Sequence, residues 1–178
     1  FHNRLGSEAV CGLAVSRSDG ARESACLLVD PSAHTQSGLY ESCRMGTLYE
    51  NCTTLLVVGA LRPGDIAIDI GAHVGYYATL FRLAVGANGS VYAFEPMPTT
   101  YRRLLRNVLF NRFTNLLPLP MAVAEHPGAA LFHLHPGNEG ESSLVRSDVS
   151  ETCQVQVTSL DDLFADALPQ RPRVMKLD

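Results

Sequence analysis

The chain has 178 residues, of which 46% are hydrophobic and 18% charged, and its formal net charge is −4 at pH 7. This length suits one globular domain with a real core, and the composition excludes a disordered chain. The negative balance argues against a broad nucleic-acid surface, which needs a basic stripe. No apolar run approaches the roughly 20 residues of a membrane-spanning helix.

The five cysteines are scattered and form no C-x-x-C pair. This spacing indicates neither a zinc site nor a disulfide framework. We therefore predict reduced thiols, a cytoplasmic location and no metal.

The first 46 residues are predicted to be a peripheral segment. The apolar run at 9–15 indicates a peripheral strand or a loose end, and residues 25–29 indicate a second strand. Residues 32–46 have the composition of a loop. A helix is predicted over 47–61, because apolar residues recur there at helical spacing.

Residues 65–76 carry the most informative pattern. The β-branched run 65–70 predicts a buried parallel strand, and Gly71 ends it. After Gly75 the apolar residues follow helical spacing, starting at Tyr76. Strand, glycine turn and helix in this order form the first half of a βαβ nucleotide-binding unit, in which the helix N-terminus offers free N–H groups.

The ligand is indicated by two acids. Asp69 precedes the first glycine, where a carboxylate would repel a pyrophosphate but suits the cationic groups of S-adenosylmethionine. Strand 90–94 follows, and Glu95 after it is placed to hold both ribose hydroxyls. We predict an S-adenosylmethionine site; the alternative is a generic α/β turn in which Asp69 caps a helix and Glu95 is a surface acid.

The next predicted elements are a helix and a strand. Thr99 or Thr100 is expected to cap the helix. The strand over 115–123 contains two prolines, which suit only a sheet edge or an irregular entry. Met121 and Ala122, near its end, are placed to flank an adenine.

Residues 129–135 alternate and predict the second arm of a hairpin. His133 and His135 share one face of that arm. No third metal ligand accompanies them, so we expect a solvated strand face. The polar segment 137–143 is expected to lie where a substrate enters.

A further strand and a helix are predicted before the last strand. The strand at 153–157 is followed by a helix capped by Thr158 or Ser159. The last predicted strand, 173–178, lies beside the first strand in this topology. Asp178 is therefore expected to emerge near Asp69, in the crevice where ligands bind.

Four sequence blocks, at 69–77, 91–96, 157–162 and 175–178, resemble in this order the FkbM family of S-adenosylmethionine-dependent methyltransferases. The resemblance extends over 47–178. It implies a Rossmann-like class I methyltransferase fold and O-methylation of a hydroxyl on a sugar, polyketide or related small molecule. The family usually has Asn at the position of His73.

The resemblance implies roles for individual residues. Asp178 is the candidate general base, and Ser142 and Ser143 are candidate cofactor or substrate contacts, or part of a plain surface loop. Glu50 follows a tyrosine as in the family, and is either a cofactor contact or a solvated helix acid. The expected cofactor-binding residues are Glu50, Asp69, Gly71, Ala72, His73, Gly75, Tyr76, Glu95, Pro96, Met121 and Ala122.

The predicted domain covers 47–178. A methyltransferase sheet of this class has more strands than the four predicted here, so we expect the sequence to lack a C-terminal part. The expected partner is a small-molecule or carbohydrate acceptor. Two other functions stay open, namely an NAD-dependent oxidoreductase of Rossmann type and a non-catalytic binding domain.

Overall fold

The computed structural model describes residues 4–5, 8–134, 151–165 and 171–178. The strands are β1 (Arg4–Leu5), β2 (Glu8–Ser16), β3 (Arg22–Val29), β4 (Ile66–Ile70), β5 (Ser90–Phe94), β6 (Leu116–Leu119), β7 (Met121–Val123), β8 (Gly128–Leu134), β9 (Glu151–Thr158) and β10 (Val174–Leu177). The helices are α1 (His34–Met45), α2 (Asn51–Gly59), α3 (Tyr76–Val85), α4 (Pro98–Phe110) and α5 (Leu160–Phe164). Within these ranges, no helix has the length and apolar character needed to cross a membrane.

The central element is a parallel sheet with the strand order β10-β4-β5-β6. The chain proceeds outward from β4 to β5 and β6, and then returns to the other side of β4 as β10. The strand order therefore reverses beside β4, and ligands of open α/β sheets bind at such a point. The α/β class and the predicted first, second and last strands are confirmed.

The strand β4 is buried along its whole length, as its β-branched sequence predicts. Ala67, on one face, belongs to the hydrophobic cluster that contains α3. Ile68 and Ile70, on the other face, join the cluster that contains Phe94 and Phe164. The carboxyl end of β4 is thereby fixed between two packed layers.

The N-terminal strands β2 and β3 form an antiparallel hairpin that contacts α3. Of the two possibilities for residues 9–15, a peripheral strand or a loose end, the strand is thus confirmed. Nine of the ten residues of α3 are buried because the hairpin and the parallel sheet cover opposite sides of this helix. The predicted boundary near residue 46 therefore separates two segments that share one hydrophobic cluster.

Asn107 in α4 and Asn111 at its C-cap pair with the backbone of β3 as a neighbouring strand would. Asn107 Oδ1 accepts from the Leu28 N–H (2.7 Å), and its Nδ2 donates to the Leu28 carbonyl (3.1 Å). Asn111 repeats this pattern at Cys26, with distances of 2.8 and 2.6 Å. These bonds satisfy buried backbone groups that would otherwise be costly to leave unpaired.

The prediction of a loop at 32–46 is wrong, since α1 occupies most of it. Gly46 ends α1 in the left-handed conformation (φ 70°), and its N–H donates to the carbonyls of Cys43 and Ser42. The predicted helix at 47–61 is confirmed in part, because α2 covers only Asn51–Gly59. α1 has no side-chain cap at its start, so the usual sequence signal for a helix beginning was missing.

The predicted threonine cap of α4 is also wrong. Met97 is the N-cap and makes no side-chain cap bond, whereas Pro98 occupies the first turn. Proline suits that position because its φ is already helical and its missing N–H would be unpaired there. Ser159 does cap α5, as predicted, by accepting from the Asp162 N–H at 3.0 Å.

The predicted strand at 115–123 is divided at Pro120. Its first part, β6, pairs with β5, whereas β7 joins a second sheet with the order β7-β9-β8. The predicted hairpin is wrong, because β9 lies between β7 and β8. His133 on β8 is half-buried rather than solvated, and His135 lies outside the described residues.

Replacing Asn107 by Ala is expected to lower the free energy of unfolding by about 2–3 kcal/mol, because buried backbone groups lose their partners. Urea denaturation measures this change. Asn88→Ala, at an exposed asparagine, serves as the matched control and is expected to stay within about 0.5 kcal/mol of the wild type. Equal effects of the two variants would contradict the role given to Asn107.

Candidate functional site

A cleft with a volume of about 760 Å³ lies at the carboxyl ends of β4, β5 and β10. This volume falls within the range of about 300–1,000 Å³ that is typical of small-ligand sites. The predicted site residues that line it are Glu50, Gly71, Ala72, His73, Tyr76, Glu95, Pro96, Met121, Ala122 and Asp178. Asp69 and Gly75 lie outside its wall, and Ser142 and Ser143 lie outside the described residues.

The glycine turn after β4 folds over the end of β5. The N–H groups of Gly71 and Ala72 both donate to the Phe94 carbonyl, at 3.0 and 2.9 Å. Gly71 has a φ of +78°, and a Cβ at this position would lie 3.1 Å from Asp178 Cβ. Gly75 has a φ of +93°, and a Cβ there would lie 2.7 Å from Leu104 Cδ1. Gly71 thus allows close approach at the cleft, and Gly75 leaves room for the Leu104 side chain of α4.

Glu95 is held rigidly at the end of β5. Its Oε2 accepts from the His73 N–H and its Oε1 from the Met97 N–H, both at 2.9 Å. The side chain is buried, but it still lines the cleft. The carboxylate therefore has one orientation before any ligand arrives, as a preorganised binding group requires.

Asp69 is only 1% exposed and lies behind the wall of the cleft. Neither of its oxygens has a hydrogen-bond partner in the part of the chain that the structure describes. Burial raises the pKa of Asp69 to about 7, against the opposing effect of the Lys176 ammonium. The carboxylates of Asp178 and Glu95 raise this pKa further. A nearby cationic ligand would favour the ionised form.

His73 lines the cleft in place of the family's usual asparagine. It adopts a φ of 51°, in the left-handed region where asparagine is favoured over most residues. Burial, followed by the charge of Arg103, lowers the pKa of His73 to about 4, so its ring is neutral at pH 7. Its Nε2 is buried and has no hydrogen-bond partner among the described residues. A neutral imidazole nitrogen in this state can donate to or accept from a ligand, depending on its tautomer.

The opposite wall comes from α1 and from the start of α2. Glu50 precedes α2 in the left-handed conformation (φ 45°), and its Oε2 accepts from the Tyr77 hydroxyl at 2.6 Å. The Tyr49 ring contacts the Tyr76 ring edge-on, with centroids 5.6 Å apart. Glu50 is exposed, lines the cleft and is fixed by Tyr77.

Several lining residues were missed by the sequence analysis. These are His34, Thr35, Ser37, Gly38 and Leu39 of α1, together with Tyr77, Phe132 and Lys176. Lys176 could have been predicted as a lining residue, because it is two residues before Asp178 and therefore on the same strand face. The α1 residues could not have been predicted, since that helix was not predicted.

The sequence predicts no metal. Among the residues with described positions, no group of three or more His, Cys, Asp or Glu side chains could hold a metal ion. Asp161 and Asp162 lie in the first turn of α5, where carboxylates are favourable to the helix dipole.

The sheet order, the switch point beside β4 and the glycine turn define a Rossmann-like fold of the class I methyltransferase type. A family model described as the methyltransferase FkbM domain matches residues 69–178. The chain belongs to this family, and the resemblance drawn from the four sequence blocks is confirmed.

Two curated relatives are similar to parts of the chain. The 31-O-demethyl-FK506 methyltransferase FkbM of Streptomyces tacrolimicus is 32% identical over 76 residues, which are 43% of this chain and 28% of the relative. The hexuronic acid methyltransferase AglP of Haloferax volcanii is 26% identical over 123 residues, covering 69% of this chain and 48% of that protein. The chain thus spans less than half the length of either relative.

A solved structure of an S-adenosylmethionine-dependent O-methyltransferase from Thermotoga maritima is 15% identical, with a TM-score of 0.40. The alignment covers 71% of this chain and 51% of that structure. The fold assignment rests on the strand order and on the family match, and not on this similarity.

The raised pKa of Asp69 predicts a specific pH dependence of stability. The unfolded side chain has a pKa of about 3.9, so between about pH 4 and 7 the folded chain keeps a proton that the unfolded chain has lost. The contribution of Asp69 to the free energy of unfolding should therefore fall as pH rises through this window. Asp69→Asn lacks this contribution, and its stability relative to the wild type should rise by about 2–4 kcal/mol between pH 4 and 8.

Urea denaturation of both proteins at intervals across this pH range, without ligand, gives the comparison. The difference between the two curves isolates Asp69 from the other titrating groups. Parallel pH profiles would show that the folded-state pKa of Asp69 is not raised.

Proposed function

We propose that the chain carries the cofactor site of an S-adenosylmethionine-dependent methyltransferase that acts on a hydroxyl group of a small molecule or sugar. One observation carries this proposal. The glycine turn and Glu95 lie at adjacent strand ends and line one cleft, in a chain of the FkbM methyltransferase family.

The parts of the cleft suit different parts of S-adenosylmethionine. Glu95 is proposed to accept hydrogen bonds from the ribose hydroxyls, which a fixed carboxylate does well. Met121 and Ala122 line the cleft near Glu95 and are proposed to flank the adenine. Glu50 lies on the opposite wall and is proposed to face the methionine end. Asp69, behind the wall, is proposed to act through its charge rather than by contact.

The cofactor supplies an electrophilic methyl group, so the protein has to align the acceptor and exclude water. Asp178 is the proposed general base for a hydroxyl acceptor. Its side chain is 63% exposed at the cleft, where an acceptor could reach it. Ser142 and Ser143 remain proposed acceptor contacts on the strength of the family resemblance.

The proposed acceptor class has support from the relatives. One is named for O-demethyl-FK506 and the other for a hexuronic acid, a macrocyclic small molecule and a sugar. The net charge of −4 supports an acceptor other than nucleic acid. The cytoplasmic location stays a prediction from the cysteine pattern.

The two rival functions fit the residues less well. An NAD-dependent oxidoreductase of Rossmann type usually carries a third glycine in its turn, and this chain has only Gly71 and Gly75 there. A non-catalytic domain would not need the buried acid Asp69, which has a large desolvation cost.

Replacing Glu95 by Ala is expected to weaken S-adenosylhomocysteine binding at least about tenfold, since hydrogen bonds from the ribose to a charged acceptor are lost. Isothermal titration calorimetry measures this change, and thermal unfolding checks that the variant folds. Glu125→Ala, at a carboxylate that is 89% exposed, is the matched control and should bind as the wild type does.

NAD is titrated into the wild type in the same experiment. Unchanged affinity in Glu95→Ala would refute the ribose role. Binding of NAD in preference to S-adenosylhomocysteine would favour the oxidoreductase, and binding of neither would favour a non-catalytic domain.

A further inference from the structure

One basic side chain enters a cleft that is otherwise acidic. Lys176 is 8% exposed on β10 and lines the cleft together with Glu50, Glu95 and Asp178. No other lysine or arginine lines it among the described residues. Lysine is rarely buried without a partner, so the contacts of this ammonium group identify what it does.

The Lys176 ammonium connects the two walls of the cleft. Its Nζ lies 2.6 Å from Asp178 Oδ2 and 4.6 Å from the centroid of the Tyr77 ring. The Tyr77 hydroxyl donates to Glu50 Oε2 at 2.6 Å. A continuous set of contacts therefore runs from the end of β10, through α3, to the start of α2.

The geometry restrains a carboxylate that would otherwise be mobile. The Asp178 side chain is 63% exposed, and an exposed aspartate is usually free to change rotamer. The buried Lys176 fixes one of its oxygens by a charge-assisted hydrogen bond. The contact with Tyr77, a cation–π interaction, keeps the flexible lysine chain itself in one conformation.

We propose that Lys176 is a positioning residue at the methionine end of the cofactor: it fixes Asp178 beside the methyl group and, through Tyr77, Glu50 beside the amino-acid group. This inference rests on the proposed function, because it assumes that S-adenosylmethionine occupies the cleft. Lys176 itself makes no contact with the ligand. Its effect is confined to that end, since Glu95 is held separately by backbone N–H groups.

Two ligands distinguish binding at the amino-acid end of the cofactor from binding at the nucleoside end. S-adenosylhomocysteine has both the nucleoside and the amino-acid end, whereas 5′-methylthioadenosine has only the nucleoside. Calorimetry with Lys176→Met is expected to show about tenfold weaker binding of S-adenosylhomocysteine, as for the loss of one charge-assisted hydrogen bond. Binding of 5′-methylthioadenosine should stay within about twofold of the wild type. Lys176→Arg keeps the positive charge and should recover most of the lost affinity.

Equal weakening of both ligands would show that Lys176 is only structural and would overturn the inference. Tyr77→Phe gives a second test should Lys176→Met fail to fold. It keeps the ring under the ammonium and removes only the hydroxyl bond to Glu50. It should weaken S-adenosylhomocysteine about threefold and leave 5′-methylthioadenosine unchanged.

A double-mutant cycle tests whether Lys176 acts on the amino-acid end of the cofactor through Glu50. In a Glu50→Gln background, Lys176→Met should have an effect of less than about twofold on S-adenosylhomocysteine binding. A full tenfold effect in that background would show that Lys176 does not act through Glu50, and the inference would be wrong.

Failure of this inference is distinguishable from failure of the proposed function. Wild-type protein that binds neither ligand overturns both. Wild-type protein that binds S-adenosylhomocysteine, with unchanged affinity in Lys176→Met, overturns the role of Lys176 alone.

Discussion

The attachment of the glycine turn to the end of β5 is the interaction on which the site depends. Three consecutive N–H groups, from Gly71 to His73, donate to the Phe94 carbonyl and to the Glu95 carboxylate. These bonds fix the entry to α3 and the direction of Glu95 at the same time. The turn can take this path because Gly71 adopts a φ of +78°. The shape of the cleft and its main acceptor group therefore come from one set of hydrogen bonds.

The acids around this turn give the site its electrostatic character. Asp69 is fully buried, and its pKa is raised to about 7 because neighbouring carboxylates add to the cost of desolvation. Lys176 offsets only part of that negative charge. A ligand that brings positive charge near Asp69 gains from the field of these carboxylates, whereas a pyrophosphate would be repelled. The charge distribution therefore supports the same ligand class as the glycine spacing.

Features that depend on residues close together in the chain could be predicted from the sequence. The strand from Ile66, the turn at Gly71 and the position of Glu95 follow from short-range periodicity and spacing, and the structure has them where expected. The features that were missed depend on distant partners. The β3 backbone at Leu28 pairs with Asn107, which is 79 positions away. Pro120 separates two strands that join different sheets, and no local pattern specifies which sheet each one joins.

Part of the cleft is lined by residues outside the segment that the family model matches. The family model begins at residue 69, whereas one wall of the cleft comes from residues of α1 and from Glu50. That wall is held by the hairpin, because β2 and β3 contact α1 and cover α3. The strand ends with Glu95 provide the wall within the family segment, and α1 with Glu50 provides the wall outside it. Packing of the N-terminal hairpin against α3 is therefore a condition for a complete cleft, even though the hairpin contributes no side chain to its lining.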